Sequence, residues 1–449
     1  MHSTSPWFAL RNPVFLRIWV ANVLSATFIS AQDVTATWLM HDLGASFSLS
    51  LLATATSTPL LLFALPAGII ADKASRKTLI LCAVAGQAAF SGLLAAGAWT
   101  NMLSINSVLF CVFGLGIGIA FSAPVWSAIV PDIVSKEELS SAVTLGGVQV
   151  NIAGIVGPAL GGFLLPTLGA PLLVSVNALT LLIVCLVILP WKPGQARPDN
   201  RSGEGFVESF LGSLRYAAKS TRIKIVLFRN LLFSLAISAI PALLPVIVYT
   251  ELKGSAAQLG LAFTCVAAGS LVGAVIVLPF LRQRISPNAI TLVAMGIMPV
   301  VLIAMAILRN QLTLPAYAAM AGIAWALAGS ELWLAGQRVV SGGIRGRMNA
   351  YLIMAGQGGI ALGSILLAAG AAHAGLDVAL VSAAGVALVG FGLGYRFSIN
   401  FPRSTETIPE PSKEPDEETI GYFIDSLRRM AGYEKYAGQP DRSEREGQK

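Results

Sequence analysis

Two carboxylates stand inside otherwise apolar stretches of this chain: Asp33, in the run from Ile18 to Met40, and Glu331, near the end of the run at about 313 to 337. An ionised carboxyl at bilayer depth costs several kcal/mol, so each must be neutral, paired, or facing a wet cavity. Carboxyls held that way can load and release protons or bind a polar cargo. Asp33, its neighbour Gln32, and Glu331 are therefore the candidates for proton coupling or substrate binding. The plainer alternatives are a hydrogen bond from Asp33 to a neighbouring helix and, for Glu331, a gate or a snorkelling partner for Arg338. No lysine or arginine is clearly buried within a span. Cys82, Cys111, Cys185 and Cys265 lie in apolar runs with no close pair and no histidine beside them, so neither disulfides nor a zinc site is expected. His2, His41 and His373 fall at ends or in loops and give no sign of catalysis. There is no phosphate-cradling loop, metal-ligand spacing or nucleophile elbow. No enzyme, metal or cofactor is expected, and an ion gradient is the energy source in view.

The elements that hold these residues follow from composition. Of 449 residues 55% are hydrophobic and only 12% charged, and the mean hydropathy is +0.73. Ordinary soluble domains carry about 25% charge, so lipid must replace water around most of this chain. Apolar runs fall near 18–40, 49–71, 78–99, 104–130, 139–168 and 171–190, then 225–249, 256–281, 289–308, 313–337, 348–372 and 376–398. Each is long enough to cross a bilayer as a helix, and the short alternating segments of a membrane barrel are absent. The first run is too long for a cleaved signal and reads as an uncleaved first span. The expected fold is an all-α membrane protein of twelve transmembrane helices in two six-helix bundles, 1–191 and 225–400. A polar loop at 192–224 joins them, with a surface helix from Phe206 to Ala218, and a largely disordered tail at 401–449 follows. In that tail Ile420, Phe423, Ile424, Leu427 and Met430 would share one face of a short helix that could bind a membrane surface or a partner.

The formal charge of +7 is explained by topology and calls for no nucleic-acid partner. Lys253 and Arg309 are the only two of the thirty Lys and Arg residues assigned to the side opposite the N-terminus. The positive-inside rule then puts both termini and the central loop in the cytoplasm. The halves also match weakly at a shift of 208 residues, pairing Gly114 with Gly322, Ser122 with Ser330, Ala142 with Ala350, Gln149 with Gln357 and Gly162 with Gly370. Matches in register in corresponding spans indicate the internal repeat common in transporters.

Gly68, Asp72, Lys73, Arg76 and Lys77 fill a very short turn between the second and third spans. The pattern resembles the signature between helices 2 and 3 of the major facilitator superfamily, with Ser75 where that family has a second glycine. The resemblance implies a gate latch in which Asp72 faces the start of helix 11; a simple topogenic charge cluster is the alternative. Gly154, Gly157, Pro158, Gly161 and Gly162 in the fifth span resemble the helix 5 motif of exporting branches, with Ala153 at the leading glycine position. Close helix packing could explain the same glycines. Arg345 and Arg347 open helix 11 and, with Tyr351, Gln357, Gly358 and Gly359, resemble bacterial drug, macrolide and siderophore exporters. Gln32, Asp33, Trp38 and Leu39, and Leu65, Pro66 and Ala67, extend the likeness, which covers nearly everything to about residue 400. Ser135 and Glu138 look like a capping box that starts helix 5.

Trp38, Phe121, Trp126, Trp325 and Gln357 are candidates to line an apolar binding cavity, and Trp333 is a further aromatic at similar depth. The tryptophans and Phe121 could equally be interface anchors or packing. The expected function is proton-coupled efflux of a lipophilic or amphipathic small molecule across a bacterial-type inner membrane, by alternating access of two halves. Monomeric function is the family's default. An uptake permease for a neutral or cationic solute, and a nontransporting receptor or scaffold, are the alternatives.

Overall fold

A computed structural model describes residues 7–135, 137–191, 220–340 and 345–400, apart from the side chains of Asp72, Lys73, Ser127, Ala128, Arg345 and Arg347. The expected surface helix at 206–218, the tail helix and the latch from Asp72 to helix 11 lie outside the described residues. The described residues form one compact unit. Its described elements are all helical, as lipid demands of a chain whose backbone groups must be satisfied within each segment.

The spans are α1 Pro13–Asp42, α2 Leu51–Lys73, α3 Arg76–Thr100 and α4 Ile105–Ile133. Leu139–Ile188 is one helical stretch of 50 residues. At 1.5 Å per residue it runs to about 75 Å, more than twice the roughly 30 Å of a bilayer core. It therefore crosses twice. Gly169, at φ 77° and ψ 158°, breaks it in a region open to glycine, giving α5 over 139–168 and α6 over 170–188. There follow α7 Thr221–Glu251, α8 Ala256–Arg282, α9 Pro287–Ile307, α10 Leu314–Val339, α11 Arg345–Ala374 and α12 Leu376–Arg396. These are the twelve spans expected from hydropathy.

Local chemistry sets the helix ends. The Asn12 side chain accepts from the backbone N–H groups of Val14 and Phe15 ahead of Pro13 at the first turn of α1. The expected box before α5 is present: Ser135 N–H donates to Glu138 Oε2 at 2.9 Å and Glu138 N–H to Ser135 Oγ at 3.3 Å. Five tight turns, at Gly44, Asn101, Gly169, Lys253 and Gly375, use positive φ. All lie at one end of the bundle, the far end. Arg76, Lys77, Arg282, Arg284 and Arg338 lie at the other, the basic end. Phe163, Leu186, Val275, Val300 and Leu388 are exposed, the reverse of a soluble surface and the band that lipid covers.

Packing repeats between the halves. In the first six spans α1 packs on α5, α2 on α4 and α3 on α6; in the second, α7 packs on α11, α8 on α10 and α9 on α12. Trp19 Nε1 donates to the Leu145 carbonyl at 3.0 Å across α1–α5, and Asn230 Nδ2 to the Leu352 carbonyl at 2.8 Å across α7–α11. The seams between halves, α2 on α11 and α5 on α8, are also related by a shift of six helices. Internal repeat and doubled architecture agree.

One expectation needs correction. Arg229, in α7, is 1% exposed, although no base was assigned to a span interior. Its guanidinium donates to Thr291 Oγ1 at 2.5 Å, to Asn288 Oδ1, and to the Phe397 carbonyl at 3.3 Å. The last group closes the C-terminus of α12, where the helix dipole favours a cation. Arg229 sits only two turns into α7, so hydropathy averaged over the whole run hid it. It ties α7, α9 and α12 together. Arg229→Ala would strand those acceptors and open a void, and should destabilise the protein by about 3 kcal/mol. A thermal melt in detergent should show a lower midpoint for this variant than for the wild type.

Candidate transport site

The seams between the halves close at the far end and part toward the basic end. Along α5–α8, a Cβ on Gly162 would lie 2.7 Å from the Ala256 carbonyl and 3.0 Å from the Gly260 Cα. Backbone meets backbone there. The seam continues through Thr264 Oγ1, donating to the Ile155 carbonyl at 3.1 Å, and reaches Gly154 against Ala267. Two turns further along the same face, a Cβ on Gly147 would meet no described atom within 4 Å apart from its own stretch of helix. Along α2–α11, Thr54 Oγ1 donates to the Ala361 carbonyl at 3.3 Å and Leu61 packs on Gly358. A Cβ on Gly68, again two turns on, would likewise meet no described atom within 4 Å apart from its own stretch of helix.

Above the cavity, at the far end, Tyr249 of α7 stacks on His41 at 4.6 Å between ring centroids and receives Trp38 edge-on at 5.6 Å. Ser50 Oγ donates to the Ala242 carbonyl at 2.8 Å beside them. Beneath this seal lies a cavity of about 420 Å³ bounded by both halves. Its polar lining includes Ser30, Thr37, Thr56, Ser57, Ser270 and Gln357; Val34, Phe263, Val266, Trp325 and Ile360 supply apolar surface. That size and mixture suit one drug-sized molecule.

Asp33 is the one ionisable residue among the described lining residues. It is exposed to the cavity, and no hydrogen bond or ion pair engages its carboxylate among the described residues. The alternative of a hydrogen bond to a neighbouring helix is therefore not realised. Gln32, one position along, turns into the first half instead. Its Oε1 accepts from Ser91 Oγ and Asn177 Nδ2, both at 2.6 Å, tying α1 to α3 and α6. Glu331 is 1% exposed and pairs with Arg282 Nε at 2.7 Å, away from the cavity. Arg282 thus takes the place expected for Arg338.

Of the cavity candidates, Trp325 and Gln357 line it. Trp38 belongs to the far-end seal, Phe121 packs against Phe63 at 5.8 Å, Trp126 packs into the cluster around Ile80 and Val125, and Trp333 is 41% exposed. The turn motif is divided. Arg76 pairs with Asp132 at the end of α4 at 2.6 Å, and Lys77 Nζ donates to the Leu189 carbonyl just past α6 at 2.6 Å. The side chains of Asp72, Lys73, Arg345 and Arg347 are not described.

The helix 5 glycines face two ways. A Cβ on Gly157 or Gly161 would lie 2.7 Å from the Thr27 carbonyl or 2.6 Å from the Ala31 carbonyl of α1, while Gly154 and Gly162 face α8. Pro158 lines the cavity. Residues that pattern did not single out are Tyr249, His41 and the small hydroxyls. Ser and Thr are frequent in any span, so nothing local marks the ones that face the cavity.

Twelve helices with this repeated pairing, around a cavity bounded by both halves, make up the major facilitator fold. A family model described as transmembrane secretion effector matches residues 4–426, and the chain belongs to that family. It is 26% identical to the enterobactin exporter EntS of Citrobacter koseri over 271 residues, 59% of this chain and 62% of that protein. It is 26% identical to the staphyloferrin A transporter of Staphylococcus aureus over 49% of this chain and 55% of that one. With the macrolide efflux protein A of Streptococcus pyogenes it shares 22% identity over 58% and 64%. Each match thus spans less than two thirds of the relative. Among solved structures, a bacterial homologue of the human lysosomal transporter Spinster, inward-facing and unoccupied, superposes with a TM-score of 0.67 at 15% identity, covering 86% of this chain and 97% of that one. The nucleoside transporter NupG does so with a TM-score of 0.67 at 13% identity, covering 87% and 100%. These share the fold.

Proposed function

We propose that the protein is a proton-coupled exporter of a lipophilic or amphipathic small molecule, of the drug or siderophore class, in a bacterial-type inner membrane. The observation that carries this reading is the Asp33 carboxylate, exposed to a cavity between the halves without a partner among the described residues. A group in that position can exchange its proton with whichever side the cavity faces. The basic end is the cytoplasmic face by the positive-inside rule, so a sealed far end and parted basic-end seams correspond to a cytoplasm-facing state. Rocking of the halves about Asp33 would open the Tyr249–His41–Trp38 seal, expose the same carboxylate to the outside, and exchange cargo for a proton. Similarity to an enterobactin exporter and a macrolide efflux protein supports the outward direction. The protein acts as a monomer in this reading, with membrane lipid around it and no cofactor.

Export of a panel of dyes, antibiotics and siderophores from cells overexpressing the protein, with and without a protonophore, tests it. Efflux that collapses with the protonophore is the expected result. Accumulation of cargo in right-side-out vesicles under an inward proton gradient would instead favour an uptake permease.

A further inference from the structure

The charge of the cavity lining carries a conclusion about the cargo. Among the described residues Asp33 has no positive partner, and no lysine, arginine or histidine lines the cavity. Three described arginines are engaged elsewhere. Arg282 holds Glu331, Arg229 closes α12, and Arg309 at the far end pairs with Glu251 at 3.6 Å and with Asp377. His41 belongs to the aromatic seal rather than the lining. The remaining polar groups are neutral hydroxyls and one amide, and Phe263 and Trp325 add rings whose faces attract cations. An anion entering this space would meet an uncompensated carboxylate in a poorly screened environment. A cation would meet its counterion.

We infer that the cavity takes a lipophilic monocation, a protonated amine or quaternary onium, and rejects a multiply charged anion such as an anionic chelator. This rests on reading the cavity as the transport site and narrows the cargo among the drug and siderophore classes. Cation and proton then occupy Asp33 in turn, so loading one releases the other.

Tetraphenylphosphonium and tetraphenylborate, nearly the same shape with opposite charge, separate charge from hydrophobicity. Binding of each to the purified full-length protein in detergent is compared with binding to Asp33→Asn, which cancels partitioning into micelles. The wild type should favour the phosphonium by about tenfold over the variant's ratio (about 1.4 kcal/mol), Asp33→Glu should keep that preference, and acidification should weaken phosphonium binding to the wild type but not to Asp33→Asn. The same phosphonium-to-borate ratio in wild type and Asp33→Asn, or tighter borate binding by the wild type after this correction, would overturn the inference. Because equilibrium binding depends on neither direction nor energy source, these outcomes are distinct from failure of the exporter reading, which the protonophore experiment decides.

Discussion

Cells carrying Asp33→Asn should export no more cargo than cells lacking the protein, while the variant reaches the membrane in normal amount. Asparagine preserves the size and polarity of the side chain and removes its titration. Because the Asp33 side chain is exposed to the cavity and makes no hydrogen bond or ion pair among the described residues, the loss cannot be assigned to a broken fold. Asp33→Glu should restore part of the activity. Downhill exchange of cargo for cargo, which needs no net proton movement, should survive better in Asp33→Asn than uphill efflux does. Retention of full, pH-dependent efflux by the asparagine variant would remove Asp33 from the mechanism.

Gly162→Leu should have the second large effect, through geometry rather than charge. A side chain at 162 would enter the space held by the Ala256 carbonyl and Gly260 Cα, so the far end could not close in its present arrangement. Overpacking of this kind costs about 1–3 kcal/mol, enough to move a two-state equilibrium about 5- to 150-fold. The variant should dwell with its far end open and transport poorly. In a cysteine-free background, Thr37→Cys on the cavity wall should be labelled by an impermeant thiol reagent from the far side in Gly162→Leu and be protected without it. Equal protection in both would show that the α5–α8 contact does not control access.

The fold was legible in the sequence because its main term is coarse: runs of about twenty apolar residues must span. Even the division of the long helix at Gly169 followed, since no bilayer accommodates fifty residues straight. Asp33 was legible for the same reason, as a charge where charge is costly. Gln32 and Glu331 rested on equally good arguments of depth, but depth says nothing of azimuth. A residue one position from Asp33 points about 100° away around a helix, which carries Gln32 into contact with Ser91 and Asn177. Glu331 found a base, Arg282, from a helix about fifty residues earlier, a pairing no local pattern contains. Arg229 escaped notice because its partners are a carbonyl, an amide and a hydroxyl, groups that carry no charge signal. The helix 5 glycines admitted both readings offered for them, packing against α1 and sealing against α8.

The most direct test of the central claim is proton movement in proteoliposomes holding the purified protein, with a pH-sensitive dye inside and no gradient imposed. Adding a cargo identified in the efflux panel should move protons opposite to the cargo in the wild type and not in Asp33→Asn. Cargo flux with no accompanying proton signal, or the same signal in the Asp33→Asn protein, would contradict an exchanger built around that carboxylate.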